Sequence, residues 1–570
     1  MFIPTTAEEL NQLGWDKLDV ILITGDSYVD SPYIGVAVIG KVLLQAGFRV
    51  GIIAQPDVQS DDITRLGEPG LFWGVTGGCI DSMVANYTAL KKRKKLDDMT
   101  PGGTNNMRPD RAVIVYSNLI RQYFKKTAPI VLGGLEASLR RIAHYDYWSN
   151  KVRRSILFDA RGDYLLYGMS ENSVVTLANT LRKGEDPTKN RGLCFISNER
   201  IEEAIELPSY KKAASDKEAF AEMFHKFYQN NDALTAEVLI QKQDTRYLVQ
   251  NPPSLPLEQP ELDKIYDLDY EYAQHPMYEQ LGPVRALETM QFSLTTHRGC
   301  YGECNFCSIA VHQGRTVTWR SEKSILQEAK IMSGHPDFKG TIKDVGGPTA
   351  NMYGFECQKK KVDGSCIHRR CLVPSLCPQM PVDHSKQRSL LQKLRRIPGV
   401  KHVFVASGIR YDLVLEDTRY GNKYLQDVVR WHTSGQMKIA PEHASSRILK
   451  LMGKPGPDLL LRFRDLFYQL TSSFRKNQYL TYYLIAAHPG CTENDMKDLK
   501  IFIGRNLKIL PEQVQIFTPT PSTYSSLMYY TERDPFSGEK IYVEKDLSRK
   551  RRQKQIITRN TRKRKKKQRT

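Results

Sequence analysis

The chain has 570 residues, 40% apolar and 26% charged, a composition that excludes collagen-like, low-complexity and membrane-embedded proteins and implies two or more folded domains. Its formal charge of +20 is concentrated at one end, since residues 549–570 hold thirteen Lys or Arg and no Asp or Glu, which leaves +7 for the rest. No long apolar run and no basic-then-apolar leader occurs, so no membrane span, no secretory signal and a reducing cytoplasmic setting are expected, where ten cysteines serve as ligands or redox groups rather than as a disulfide framework.

From the amino terminus, LDVILITGD (18–26) predicts a strand, IGVAVIGKVLLQAG a helix and FRVGIIAQ a second strand. With further apolar runs at RAVIVYS (111–117), APIVLGG (128–134) and DYLLYG (163–168), residues 1–250 read as a parallel-sheet α/β domain. Ligands of such sheets sit at the carboxyl ends of the strands. Residues 198–245 are charged with helical periodicity. NPPSLPLEQP (251–260) holds four prolines, each fixing its own φ and turning its predecessor away from helix, so 251–285 is expected to be a linker and lead-in.

Six apolar segments follow in residues 286–530: QFSLTTH (291–297), TIKDVGG (341–347), KHVFVASG (401–408), GQMKIAPE (435–442), LTYYLIAAHPG (480–490) and EQVQIFTPTP (512–521). Helical patterns lie between them. Leu390, Leu391 and Leu394 mark one helix, stopped by Pro398 and Gly399; Leu459, Phe463, Leu466, Phe467 and Leu470 mark another; Thr492 starts a third. Repeated βα units of this length predict a whole or partial barrel with its active site at the strand carboxyl ends. Residues 531–570 are expected to be a basic, disordered tail, able at most to neutralise phosphates of RNA or DNA.

HRGCYGECNFC (297–307) places Cys300, Cys304 and Cys307 directly after the first of the six segments. Soft thiolates select an iron–sulfur cluster or zinc, and Gly299 and Gly302 let the backbone fold around the sulfurs. A structural zinc or an electron-transfer cluster takes four protein ligands, and this loop offers three. A cubane held by three cysteines keeps one iron for another ligand. The bland alternatives are a zinc knuckle completed elsewhere, or unligated thiols.

The spacing Cys-x-x-x-Cys-x-aromatic-Cys, with Phe306 as the aromatic, resembles the radical S-adenosylmethionine (SAM) signature. TGDSYVDSPYIG, FRVGIIAQPD, VLGGLEAS, DVGGPTANMYG, GIRYDL, KIAPEH and AAHPGCTENDM, in this order over about residues 1–530, resemble the YgiQ-type radical SAM family. That resemblance implies a cobalamin-binding-like front domain and a partial (β/α)₆ barrel. It implies a 4Fe-4S cluster on Cys300, Cys304 and Cys307 that cleaves SAM reductively to a 5′-deoxyadenosyl radical, fed by a donor such as flavodoxin or ferredoxin, on a substrate that the sequence does not identify. It also implies that Gly346 and Gly347 meet the methionine amino group, that Ser407 and Arg410 lie where ribose or carboxylate contacts come from, and that Arg410 grips a carboxylate through two parallel hydrogen bonds. Pro348 stands where many superfamily members carry an acid, which would leave that role to backbone carbonyls.

Cys357, Cys366, Cys371 and Cys377, with His368 and His384 nearby, suit a structural zinc, an auxiliary cluster or unligated thiols. Lys438, Glu442, His443 and His488 fall at the ends of the fourth and fifth segments, as substrate contacts, proton carriers or ordinary structural residues. In the front domain Gly133 and Gly134 follow a strand as in cobalamin domains, but Asp30, Pro32 and Gly35 lack the histidine of the Asp-x-His-x-x-Gly cobalt-ligand motif. Two further functional readings stand beside the radical enzyme: a metal-stabilised nucleic-acid-binding protein, and an RNA-modifying radical SAM enzyme that uses its basic tail.

Overall fold

The computed structural model describes residues 1–558. They divide into two compact units, one of Met1–Ser293 with Ser308–Gly314 and Lys359–Ser365, the other of Leu294–Cys307, Arg315–Gln358 and the chain from Cys366 onward. Among the described residues no helix is long and apolar enough to cross a membrane.

The first unit is built on a nine-stranded sheet. Val50–Ala54, Val20–Thr24, Phe72–Thr76, Ile130–Gly133 and Tyr164–Leu166 lie side by side and parallel. Every residue of Val20–Thr24 and Val50–Ala54 is buried, as continuous apolar runs require of strands covered on both faces. The sheet then turns mixed: Leu193–Ser197, Arg246–Gln250 and Leu239–Gln243 join antiparallel, and Ile205–Leu207 closes the edge. The charged stretch 198–245, read as helical, therefore supplies the strands Ile205–Leu207 and Leu239–Gln243 as well as the helix Lys217–Gln229.

One expected strand is a helix. Residues 111–117 open the helix Ala112–Tyr123, whose buried positions Ala112, Val113, Tyr116, Ser117 and Ile120 follow helical spacing. The short apolar run fitted either period, and the missing strand is Phe72–Thr76. The proline segment is no free linker, for residues 251–285 belong to the first unit. Asn251 donates to the carbonyls of Thr188 and Asn190, Arg191 donates to that of Pro253, and Ala273–Gln274 pairs with Val29–Asp30.

In the second unit the six apolar segments are neighbours in sequence order. Ser293–Thr295 pairs with Asp344–Gly346, Thr341–Ile342 runs parallel to His402–Val403, and Ile409 bridges to Ile439. Gln436–Glu442, Tyr479–Ala486 and Val514–Ile516 then run parallel. The helices between them start and stop as their sequences demand. Thr492 and Asp495 cap each other reciprocally at the start of Glu493–Phe502, and Pro457–Ser473 buries the stripe Leu460, Phe463, Phe467 and Leu470.

The expected tail is folded as far as it is described. Leu547–Ile557 is a helix capped by Asp546 that buries Lys550, Gln553 and Ile557. Gln553 accepts from the Ala487 amide at 3.0 Å and donates to the Cys491 carbonyl at 3.1 Å, while Lys550 donates to the Tyr529 hydroxyl at 2.9 Å. Counting charge concealed this helical stripe. Arg549 pairs with Glu544 and Arg552 with Glu493, so the expected phosphate contact falls mainly on residues 559–570, outside the described residues. Replacing Gln553 by Ala should cost about 1–3 kcal/mol, because it leaves a buried amide and carbonyl without partners. An unfolding midpoint indistinguishable from the parent protein would show that the helix does not hold this turn.

Candidate functional site

The cysteine loop begins where His297–Arg298, paired with Thr318–Trp319, runs out. Gly299 and Glu303 both take left-handed φ values, +76° and +43°, and the Cys307 amide donates to the Cys304 carbonyl at 2.9 Å. The loop is then fixed from outside. Asn305 donates through its amide to Met452 O and through its side chain to Leu451 O, each at 2.9 Å, and its carbonyl accepts from the Ser525 amide at 2.8 Å. Arg370 donates to Glu303 O, the Glu303 carboxylate faces Arg315 at 3.7 Å, and the Phe306 ring meets His488 edge-on.

All three thiols are half-buried. Cys300 Sγ accepts from the Gly302 amide at 3.3 Å and lies 3.5 Å from Thr349 Oγ1, and Cys304 Sγ lies 3.8 Å from Nη1 of Arg410. Burial pushes the Cys300 thiol up, Cys304 adds to the shift, and Arg410 opposes it. The loop suits a thiophilic group in its donor chemistry and its space, since a Cβ on Gly302 would stand 2.6 Å from Arg410 Nη1 and 3.2 Å from Cys300 Sγ. The sulfurs do not converge with these side-chain positions: among the described residues no three His, Cys, Asp or Glu side chains stand ready to hold one metal ion.

The other four candidate cofactor residues are close to this loop but already engaged. The Gly346 carbonyl accepts from both the amide and the hydroxyl of Thr296, at 2.7 and 3.1 Å. A Cβ on Gly347 would meet His297 O at 2.7 Å, and one on Gly346 would meet the Ser407 side chain at 3.5 Å, so both glycines serve close approach. The Ser407 hydroxyl donates to Asp344, whose carboxylate also accepts from the amides of Ala406 and Ser407. Arg410 spends Nε and Nη2 on Asp412, so the edge expected to grip a cofactor carboxylate holds a protein one. Sequence reasoning passed over Asp344 and Asp412; each lies two residues from a residue it did single out.

The weaker candidates are mostly satisfied within the protein. His443 Nδ1 accepts from the Ser445 amide and its Nε2 faces Cys491; His488 Nδ1 donates to Pro489 O and its Nε2 accepts from Ser525. Burial pulls their pKa values to about 4 and about 3, which keeps both rings neutral near pH 7. Glu442, at a left-handed φ of +66°, is buried against Lys454 at 3.7 Å, whereas Lys438 is exposed. Cys357, Cys371 and Cys377 pack into one apolar cluster around Tyr301, which also touches Cys300, and His384 is drawn away to Asp417.

In the first unit the strand ends are filled by the chain itself. Arg108 is buried between Asp26 and Asp97, Arg140 pairs with Asp81, and Glu136 accepts from the Ser82 amide. A Cβ on Gly78 would overlap the Asp26 carboxylate, and one on Gly134 would overlap the Thr76 hydroxyl. Asp30 is held by Lys41. These residues do not fit a corrinoid, which would have to open a buried ion-pair network to reach the strand ends.

A family profile described as "Radical SAM N-terminal" matches residues 2–293, and one described as a domain of unknown function, DUF3362, matches residues 512–565. A UPF0313 protein of Fusobacterium nucleatum is 56% identical over 566 residues, covering 99% of this chain and 100% of its own length. One of Thermotoga neapolitana is 50% identical over 551 residues, 96% of each chain, and one of Methanocella arvoryzae is 48% identical over 96% of this chain and 91% of its own. The radical SAM methyltransferase TsrM of Kitasatospora setae, solved with cobalamin and a 4Fe-4S cluster, has a similar fold at TM-score 0.51 and 13% identity, over 90% of this chain and 74% of that one. OxsB, a cobalamin-dependent SAM radical enzyme solved with aqua-cobalamin, gives TM-score 0.50 at 13% identity, over 92% and 57%. Such low identities bear on fold alone.

Protein incubated with hydroxocobalamin and then desalted should keep no corrinoid absorption. Stoichiometric retention would show that the strand-end network opens.

Proposed function

The chain belongs to the UPF0313 family of YgiQ-type radical SAM proteins, and from that premise we propose that it is a radical SAM enzyme in which Cys300, Cys304 and Cys307 hold a 4Fe-4S cluster. The observation that carries the reading is the position of the three-thiol loop. It opens directly after the first of six strand segments that neighbour one another in sequence order, the connectivity of a partial (β/α)₆ barrel, whose active sites lie at this end of the strands. Such a cluster, when bound, supplies the electron for reductive cleavage of SAM to a 5′-deoxyadenosyl radical, on a substrate still to be identified.

The chain's own part is to hold, orient and shield. Asn305 fixes the loop between the carbonyls of Leu451 and Met452 and the Ser525 amide, so that the thiols are presented from an anchored backbone. Gly302 leaves space beside Cys300 that a larger residue would occupy. Gly346, Gly347 and Ser407 remain the residues assigned to SAM, with Asp344 orienting Ser407. In this reading the protein works in a reducing cytoplasm and takes electrons from a small donor such as flavodoxin or ferredoxin.

Anaerobic reconstitution with iron and sulfide should give a brown protein with about four irons per chain, and dithionite with SAM should release 5′-deoxyadenosine. Cys300→Ala, Cys304→Ala and Cys307→Ala should each lose most of the iron and all of the cleavage. A colourless protein whose loop binds zinc through a fourth side chain would overturn the reading in favour of a metal-stabilised nucleic-acid binder.

A further inference from the structure

The Arg410 guanidinium lies within hydrogen-bond reach of a candidate ligand sulfur, and the structure invests several buried groups in holding it there. Its Nη1 lies 3.8 Å from Cys304 Sγ, and a Cβ on Gly302 would stand 2.6 Å from the same nitrogen. The opposite edge is clamped: Nε donates to Asp412 at 3.0 and 3.2 Å, and Nη2 at 2.5 Å. Asn351 fastens the Arg410 backbone on both sides, accepting from its amide at 2.8 Å and donating to its carbonyl at 3.1 Å. Asn351 Nδ2 also lies 3.1 Å from Nε2 of His384, whose Nδ1 donates to Asp417 at 2.8 Å. A continuous buried chain thus runs from Asp417 through His384 and Asn351 to Arg410 and ends at a thiol.

We propose that Arg410 is a positioning residue that tunes the cluster through Cys304, not a grip for a cofactor carboxylate. The proposal rests on the reading that Cys304 is a cluster ligand, and on its sulfur keeping the Arg410 contact when the three thiols turn toward one centre. A charge-assisted donor to a ligating sulfur stabilises the more negative, reduced centre more than the oxidised one, which raises the reduction potential. Asp412 fixes the fork, and its negative charge offsets part of the field; an asparagine there keeps an oxygen to accept from the fork, so that replacement removes chiefly the opposing charge. Two further ion pairs flank the site, Glu442 with Lys454 and Glu303 with Arg315, each at 3.7 Å. Arg410 carries the charged donor within hydrogen-bond distance of the Cys304 sulfur, where its field is positive. The step concerned is the passage of one electron from dithionite to a 4Fe-4S centre in its 2+ state, giving the 1+ state.

The test is a redox titration of the reconstituted full-length protein, followed by the electron paramagnetic resonance signal of the reduced centre, with iron and sulfide measured beside it. Arg410→Gln should keep its iron and become harder to reduce by about tenfold or more in the one-electron equilibrium, equivalent to about 59 mV. Asp412→Asn should shift the potential in the opposite direction, and Arg410→Lys should shift it less than Arg410→Gln. An Arg410→Gln protein with a full cluster and the parent potential would overturn the proposal, as would a shift of Arg410→Gln and Asp412→Asn in the same direction. If Arg410→Gln fails to hold iron, the sign of the Asp412→Asn shift and the size of the Arg410→Lys shift decide. A parent protein that never binds a cluster would instead defeat the underlying assignment, which separates the two failures.

Discussion

The anchoring of Asn305 is the constraint on which the second unit's chemistry depends. A loop with cysteines at positions 300, 304 and 307 is useful only if its backbone stays put while its sulfurs remain free to bind. Asn305 achieves this by spending its own polar groups on Leu451, Met452 and Ser525, more than 140 residues away in sequence. Three of its four polar groups are engaged in this way, the side-chain oxygen staying buried without a partner among the described residues, and the loop's left-handed residues leave little slack. The described part of the carboxyl-terminal region is consequently structural: Ser525 braces the loop, and Gln553 closes the turn at Ala487 and Cys491 that follows the fifth strand segment.

The first unit shows the opposite use of a strand-end position. Five parallel strands converge on a place where α/β sheets usually bind ligands, and here Arg108, Arg140, Asp26, Asp81, Asp97 and Glu136 occupy it. Buried charges cost several kcal/mol each unless they are paired, so such a network persists only as a closed set. Its glycines admit protein groups rather than a cofactor: Gly78 makes room for Asp26, and Gly134 for Thr76. A shared fold with cobalamin-carrying enzymes is compatible with this, because function resides in the site and not in the sheet beneath it.

What the sequence revealed was what short-range pattern controls. The cysteine spacing, the six segments, the Thr492 cap and the helix around Phe463 depend on residues within a turn or two of one another. Residues 111–117 were misread because a short β-branched run satisfies either period until tertiary burial selects one. The carboxyl-terminal helix was missed because the charge of residues 549–558 masks a stripe at Lys550, Gln553 and Ile557. The partners of the site residues were out of reach for another reason: Asp344 meets Ser407 and Asn351 meets Arg410 only after strands far apart in sequence have been brought side by side.

The residue type at 410 follows from the same geometry. A lysine there could supply charge, but a single ammonium on a flexible stem cannot hold Asp412 with one edge and face Cys304 with another. The planar fork does both because its donors point in fixed directions, so positioning and polarisation come from one rigid group. Gly302 completes the arrangement, since a side chain at that position would press on the guanidinium nitrogen and on the Cys300 sulfur. The pairing with Asp412 also explains how a guanidinium can be buried beside the thiols: the ion pair meets its desolvation cost, and the remaining donor is directed at the sulfur.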